Sequence, residues 1–407
     1  MNKLNFQITA FFVALVLVVS CSQNSGPAQP EDVGLSSDTL KLAMNEMQEL
    51  VDSSKYAGIT TLIWKDGQKV HQERFGKADV ENSLPIEENT IFRIFSMSKP
   101  VTAVALMILF DEGKFQLDDP VAKYIPEFEG AMVYTPNEDG GFSLEPQENE
   151  LSIRHLLTHT SGIPYGWDPS SYVDSLYNVH GVGGWDSTTI GEKMRELATL
   201  PLKRQPGTQW EYGLSIDVAG YLVEVLSGQE LDEYMKSRIF DPLGMDDTGF
   251  YVPEDKVDRF SGVYYRDGEG GLKPNTFMAD IFLRSKKVFS GGGGLVSTME
   301  DYLSFCRMLL NGGELDGERV LEESTVELIM TDQLPDGAIY GDNGGHGLAG
   351  AVNLETGIYS WAGAASTNFW IDPKNDMILI TYAQLMPSDH SYAHNFKDIV
   401  YRAILYK

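Results

Sequence analysis

A serine and a lysine stand three residues apart in Arg93-Ile94-Phe95-Ser96-Met97-Ser98-Lys99-Pro100, a pairing that can make a nucleophile. A serine hydroxyl attacks a carbonyl carbon poorly at neutral pH unless a neighbouring base accepts its proton. A lysine withdrawn from water can take that proton or help another group to take it. Residues three apart on a helix share a face, so Ser96 Oγ and Lys99 Nζ can meet there. The same spacing also suits a capped surface helix with a solvated lysine, so S-x-x-K alone leaves both readings open. Ser98, two residues from Ser96, points away from it and is expected to tolerate substitution.

The element that must carry this pair follows directly. Val101, Val104, Ala105, Ile108 and Leu109 recur at helical spacing, which predicts a helix with one buried face. Gly113 is its expected C-cap, and Pro100 suits a first turn where its missing N–H costs nothing. A helix at 40–51 and two strands at 59–64 and 69–75 come before it, the strands flanking Asp66-Gly67, a hairpin signal. Residues 124–149 read as a polar surface loop, and 163–184 as an irregular loop of the length that often forms a cleft wall. A second helix has Ile216, Ala219, Leu222, Val223 and Leu226 on its apolar face and Gly228 at its end. Near the C-terminus, 377–382 follows the 372–376 turn as half of a second hairpin, and a last helix begins after Ser388.

Three stretches imitate other chemistry. Gly291-Gly292-Gly293-Gly294 lacks the following lysine and the spacing of a phosphate-binding loop, so it reads as structural. His155 and His159 invite a metal or base reading but are assigned structural roles. Cys306 lies in an apolar helical pattern, the usual setting of a buried free thiol. No G-x-S-x-G occurs in the chain, which removes the nucleophile-elbow hydrolases as rivals.

The 407 residues, 42% of them hydrophobic, can bury a large core, and the net charge of −28 argues against a nucleic-acid partner. Lys3 followed by an apolar run over 8–19 predicts an export signal at 1–20 rather than a membrane span, which needs about 20 apolar residues. Val18-Val19-Ser20-Cys21 is similar to a bacterial lipobox. The expectation is a lipid on Cys21, a flexible tether at 21–38, and a body at 39–407 anchored to the bacterial cell envelope, at the outer membrane and facing the periplasm or surface. With Cys21 lipidated, Cys306 has no disulfide partner.

Gly76-Lys77-Ala78-Asp79-Val80-Glu81, Asn89-Thr90-Ile91-Phe92-Arg93 and Leu117-Asp118-Asp119-Pro120-Val121, set around the S-x-x-K helix, resemble the serine β-lactamase-related hydrolases, above all the class C β-lactamases and family VIII carboxylesterases. The resemblance runs from about Leu40 to the C-terminus. It implies an α/β (α+β) fold of the penicillin-binding-protein type, with an antiparallel sheet flanked by helices and a helical subdomain at about 101–288. It also implies acyl transfer without metal or organic cofactor: Ser96 as nucleophile, Lys99 and Tyr212 as the proton relay, and the N–H groups of Ser96 and Ala364 as the oxyanion hole. The family's Tyr-x-Asn element reads Tyr212-Gly213-Leu214 here, and its Lys-Thr-Gly reads Trp361-Ala362-Gly363. Losing the amide and the cation points to neutral esters, with Trp361, Gly363 and Leu214 at the substrate. The alternatives are a β-lactamase or D-alanyl-D-alanine carboxypeptidase, and a catalytically weak envelope lipoprotein that binds peptides. Oligomeric state is not readable from the sequence.

Overall fold

The computed structural model describes residues 28–138, 141–185, 188–284, 287–341 and 344–405. The signal at 1–20, Cys21 and the tether up to residue 27 lie outside the described residues. From Ala28 onward the chain is folded rather than free. Leu35 is fully buried and bridges to Ile404, while Pro30–Val33 forms a short 3₁₀ turn. Apolar Val33 and Leu35 gain more from burial than a tether of that composition could by remaining solvated.

One antiparallel sheet is built from both ends of the chain. β1 (Gly58–Lys65) and β2 (Gln68–Asp79) fold back across Asp66 and Gly67, at φ 49° and 75°, the positive values that a tight hairpin needs. β3 (Leu84–Pro85) adds an edge. β4 (Gly344–His346), β5 (Ala351–Asn353), β6 (Tyr359–Gly363), β7 (Thr367–Asp372) and β8 (Met377–Ala383) form a meander whose last strand pairs with β1. The order is β4-β5-β6-β7-β8-β1-β2-β3.

The helices that matter for the site are α1 (Ser37–Asp52), α2 (Ser98–Asp111), α3 (Tyr172–His180), α4 (Ser215–Ser227), α5 (Thr276–Ile281), α6 (Met299–Leu310) and α7 (Ser391–Arg402). Side chains alternate across the sheet. Ile59, Ile63 and Leu379 therefore join a core with α1 and α7, while Leu62, Ile378 and Ile380 join a larger core with α2, α4 and α6. The result is three layers with α2 in the middle of the thicker half. Every residue of α2 from 98 to 109 is buried, not one face alone. The spacing identified the helix, but the continuous apolar run between its regular positions is what lets it be enclosed on all sides.

Two expected loops contain regular structure. Within 124–149, Val133–Pro136 pairs with Phe142–Glu145 as a small hairpin. Within 163–184, Ser171 caps α3 by accepting the Asp174 N–H, and Gly181 at φ 62° ends it. Both cap residues are ordinary helix signals set in a stretch dominated by Gly, Pro and aromatic residues.

Candidate active site

The approach to Ser96 is held before the helix begins. Phe92 and Arg93 pair with Ser297 and Val296. The side-chain amide of Gln384 grips the Arg93 backbone on both sides: its Oε1 accepts the Arg93 N–H (3.2 Å) and its Nε2 donates to the Arg93 carbonyl (3.1 Å). The Arg93 guanidinium donates to the Ser261 carbonyl at 2.6 Å and lies 3.8 Å over the Phe260 ring. Phe95 then takes φ 40°, a left-handed conformation unfavourable for a bulky side chain. Edge-to-face packing on Phe282 at 5.6 Å holds it there. A 3₁₀ turn, Phe95–Met97, carries Ser96 into the first turn of α2. Ser98, expected to be tolerant, is fully buried, and its Oγ accepts the Leu295 N–H at 3.0 Å. It does point away from Ser96, but into the core rather than into solvent.

Lys99 is fully buried, and its ammonium meets three acceptors: Ser96 Oγ at 3.1 Å, Tyr165 Oη at 2.9 Å and the Gly292 carbonyl at 2.6 Å. Three donors and three acceptors leave no N–H unmatched. Its Nζ also lies 4.7 Å from the Tyr212 ring centre and 5.4 Å from that of Tyr165. Tyr212 Oη donates to Ser96 Oγ at 2.8 Å, and hydroxyl rotors allow the proton to run either way along that line. Ser96, Lys99 and Tyr212, named from the sequence, thus form one contiguous hydrogen-bonded group.

Close backbone contact brings Tyr212 there. A Cβ on Gly213 would fall 1.8 Å from the Ile163 carbonyl, so only glycine lets this segment lie against the 163–165 stretch. The Tyr212 ring is backed by Trp210, nearly parallel at 5.7 Å, and by His159 at 4.9 Å. Burial pushes the His159 imidazole well below its usual range, with His346 and Lys99 adding to the effect. It therefore serves as a neutral packing ring. His155 closes the capping box of the helix Ile153–Leu157. The glycine run is a backbone wall: Gly292 accepts from Lys99, and its N–H donates to Asp217 Oδ1 at 3.2 Å. Cys306 is a buried free thiol, raised well above its usual range by burial. Among the described residues, no group of three His, Cys, Asp or Glu side chains could hold a metal ion.

Two cavities flank the Ser96 group. One, of about 500 Å³, is lined by Ser96, Tyr165, Trp167, Trp185, Leu214 and Ala364 among others. The other, of about 350 Å³, is lined by Tyr212, Tyr340, Trp361, Trp370, His390 and His394 among others. Leu214 and Trp361 therefore face opposite cavities, and Ala364 shares the first with Ser96. Gly363 does not line either. A Cβ there would come within 2.2 Å of the Ile94 carbonyl, so this glycine lets β6 close on the turn that carries Ser96.

Tyr165 and Asp217 were not singled out from the sequence. Tyr165 is held by Lys99 and stacks on Trp167 at 4.3 Å, with the rings 7° apart. Burial drives its hydroxyl well above the ordinary tyrosine range, and Tyr212 and Asp217 push the same way. Asp217, buried on α4, accepts from Ser290 Oγ at 2.6 Å as well as from Gly292. Burial raises its carboxyl, against the opposing pull of Ser290 and Lys99. The one available signal was an aromatic cluster, Tyr165 and Trp167, inside a Gly/Pro-rich loop.

Comparison with known proteins places these features in a family. The Beta-lactamase family model matches residues 45–402. Esterase EstB of Burkholderia gladioli is 30% identical, the match covering 78% of this chain and 83% of that one. Lovastatin esterase of Penicillium rubens is 28% identical, covering 80% and 88%. The solved structure of EstCE1, a hydrolase with promiscuous acyltransferase activity, superposes with a TM-score of 0.77 at 26% identity, covering 89% of this chain and 99% of that one.

Proposed function

Because the chain belongs to the Beta-lactamase family and is a serine hydrolase, we propose that it cleaves neutral carboxylic esters through an acyl-enzyme on Ser96. The observation that carries this reading is the contact of Ser96 Oγ with both Tyr212 Oη and Lys99 Nζ. In the reacting form Tyr212 is the phenolate, its negative charge offset by the nearby Lys99 ammonium, and Ser96 Oγ adds to the ester carbonyl as its proton passes to Tyr212 Oη. The N–H groups of Ser96 and Ala364 receive the oxyanion. The same proton then goes to the departing alcohol, leaving Ser96 acylated. Water, giving its proton to Tyr212, releases the acid and restores the hydroxyl.

Ester preference rests on Leu214 and Trp361. An apolar side chain cannot satisfy a desolvated amide. An indole offers one N–H and a large apolar face where a carboxylate would need a cation. Short-chain aryl esters should therefore be hydrolysed with a kcat/KM well above that for benzylpenicillin or D-Ala-D-Ala peptides. Steady-state kinetics on these three substrates is the test, and a preference for either anionic substrate would refute the ester reading.

We also propose that Cys21 carries lipid and ties the protein to the cell envelope. The support is the lipobox-like Val18-Val19-Ser20-Cys21 together with the stable anchoring that several acyl chains give, each buried CH₂ contributing ~0.8 kcal/mol. Cys21→Ser should leave unprocessed precursor or release soluble protein. Wild-type protein found wholly in the soluble fraction would end this proposal.

A further inference from the structure

The two cavities that flank the Ser96 group divide its members between them. Ser96 and Ala364 line the larger and not the smaller, and Tyr212 lines the smaller and not the larger. The 2.8 Å hydrogen bond from Tyr212 Oη to Ser96 Oγ therefore joins one to the other. In acyl transfer the carbonyl carbon becomes bonded to Ser96 Oγ while its bond to the alcohol oxygen breaks, and that oxygen takes its proton from Tyr212. The acyl group must thus remain on the Ser96 side, and the alcohol must leave past Tyr212.

The two linings differ in chemistry. Tyr177, Val182, Ile190 and Met194 line the larger cavity, and each is at most 2% exposed, so this cavity reaches from the nucleophile into the apolar core. Polar groups that share its lining are engaged within the protein: Asn178 Nδ2 donates to the Gly166 carbonyl, Lys193 Nζ to the Gly181 carbonyl, and Ser290 Oγ to Asp217. At about 500 Å³ it has room for far more than an acetyl group. The smaller cavity is walled by the rings of Tyr212, Tyr340, Trp361, Trp370, His390 and His394. Two buried polar atoms of that wall, Trp361 Nε1 and His390 Nδ1, have no hydrogen-bond partner among the described residues, and a ligand that supplies one relieves the cost of their burial. Burial also holds the His390 and His394 imidazoles below their usual range, which suits an uncharged occupant. Resting on the ester reading above, we infer that the substrate joins a medium-length apolar acid to a neutral aromatic alcohol. The acyl chain lies in the larger cavity, and the alcohol ring, carrying a hydrogen-bonding substituent, lies in the smaller.

The test uses the full chain and two ester series: p-nitrophenyl esters from acetate to decanoate vary the acid, and ethyl, phenyl and naphthyl acetates vary the alcohol. Met194→Trp, which fills the larger cavity, should lower the kcat/KM ratio of octanoate to acetate by about tenfold, the partitioning contribution of about two methylenes. It should leave the ratio of naphthyl to ethyl acetate as in the wild type. Tyr340→Ala should do the reverse, lowering the naphthyl to ethyl ratio severalfold and leaving the octanoate to acetate ratio alone. Trp361→Phe should reduce the preference for m-acetylphenyl over m-ethylphenyl acetate severalfold, as expected for one lost hydrogen bond. Met194→Ala, which opens the cavity instead of filling it, should move the best substrate to a longer chain, and it decides the matter if Met194→Trp fails to melt cooperatively. Exchanged effects, with the Met194 variants moving the alcohol ratio and Tyr340→Ala the acyl ratio, would overturn the assignment, as would no shift in either ratio. An unaltered m-acetylphenyl preference in Trp361→Phe would overturn its hydrogen-bonding part. If the wild type turned over no ester in either series, while the Met194 variants changed how Ser96 labelling by alkyl fluorophosphonates depends on chain length, the ester reading would fall and the acyl cavity would stand.

Discussion

Lys99 uses all three of its N–H groups at once, and Tyr165 takes one of them. Removing the Tyr165 hydroxyl leaves a buried charged donor unmatched, a loss of about 1.5–3 kcal/mol. If that loss falls on the transition state, it amounts to roughly one to two decades in rate. Tyr165→Phe should therefore lower kcat by about that factor with little change in KM for an aryl ester, and an unchanged kcat would remove Tyr165 from the relay. Leu214 and Trp361, each lining a cavity beside Ser96 or Tyr212, support a converse experiment. Trp361→Lys with Leu214→Asn should move the kcat/KM ratio of benzylpenicillin to aryl ester upward by about tenfold, one charge-assisted hydrogen bond's worth, as measured on the purified double variant. The grouping of Ser96, Lys99 and Tyr212 was readable because it follows residue type at fixed spacing, or likeness to a family. Tyr165 was not, because a tyrosine 66 residues from its partner leaves no mark in local pattern. At Gly363 the position also demands a missing Cβ, and only the Ile94 carbonyl, distant in sequence, reveals that.

At the scale of elements, the turn carrying Ser96 depends on a backbone clamp from a distant strand end. Gln384 follows β8 and holds both polar backbone groups of Arg93. Gln384→Leu would leave a buried N–H and carbonyl unpaired, each loss costing about 1–3 kcal/mol. Urea unfolding should show a destabilisation of about 2–4 kcal/mol, and the variant's ester turnover should fall because the turn carrying Ser96 loosens. Equal stability would show that the clamp is idle. The helices and the two hairpins of the sheet were legible because hydrophobic period and turn chemistry agree there, as at Asp66-Gly67. The hairpin of Val133–Pro136 with Phe142–Glu145 was hidden by its prolines and acidic residues, and α3 by the glycines around it. Enclosure of α2 on every side was not legible either, since what covers a helix is decided by segments far away in sequence.

The whole molecule couples the site to acid stability through buried neutral histidines. Burial pushes the His346 imidazole down to about 4, against about 6.5 in an unfolded chain. Between pH 6.5 and 4 the unfolded chain binds a proton that the folded chain refuses, so this contribution is full above 6.5 and lost as pH falls through that window. The loss reaches about 2–3 kcal/mol per such histidine. His346→Gln, which keeps a donor for the Gly347 carbonyl that His346 Nδ1 now meets at 2.8 Å, should show a smaller drop in urea midpoint from pH 7 to pH 4.5 than the wild type. An identical drop would assign the acid sensitivity elsewhere. The central claim, that the entire fold serves to activate one hydroxyl, has a more direct test in the mass of the intact chain after treatment with a fluorophosphonate. One adduct per molecule, mapped by peptide sequencing to Ser96 and absent in a folded Ser96→Ala protein that also fails to turn over aryl ester, is the predicted result. Labelling at another residue, or ester turnover that survives in Ser96→Ala, would contradict it.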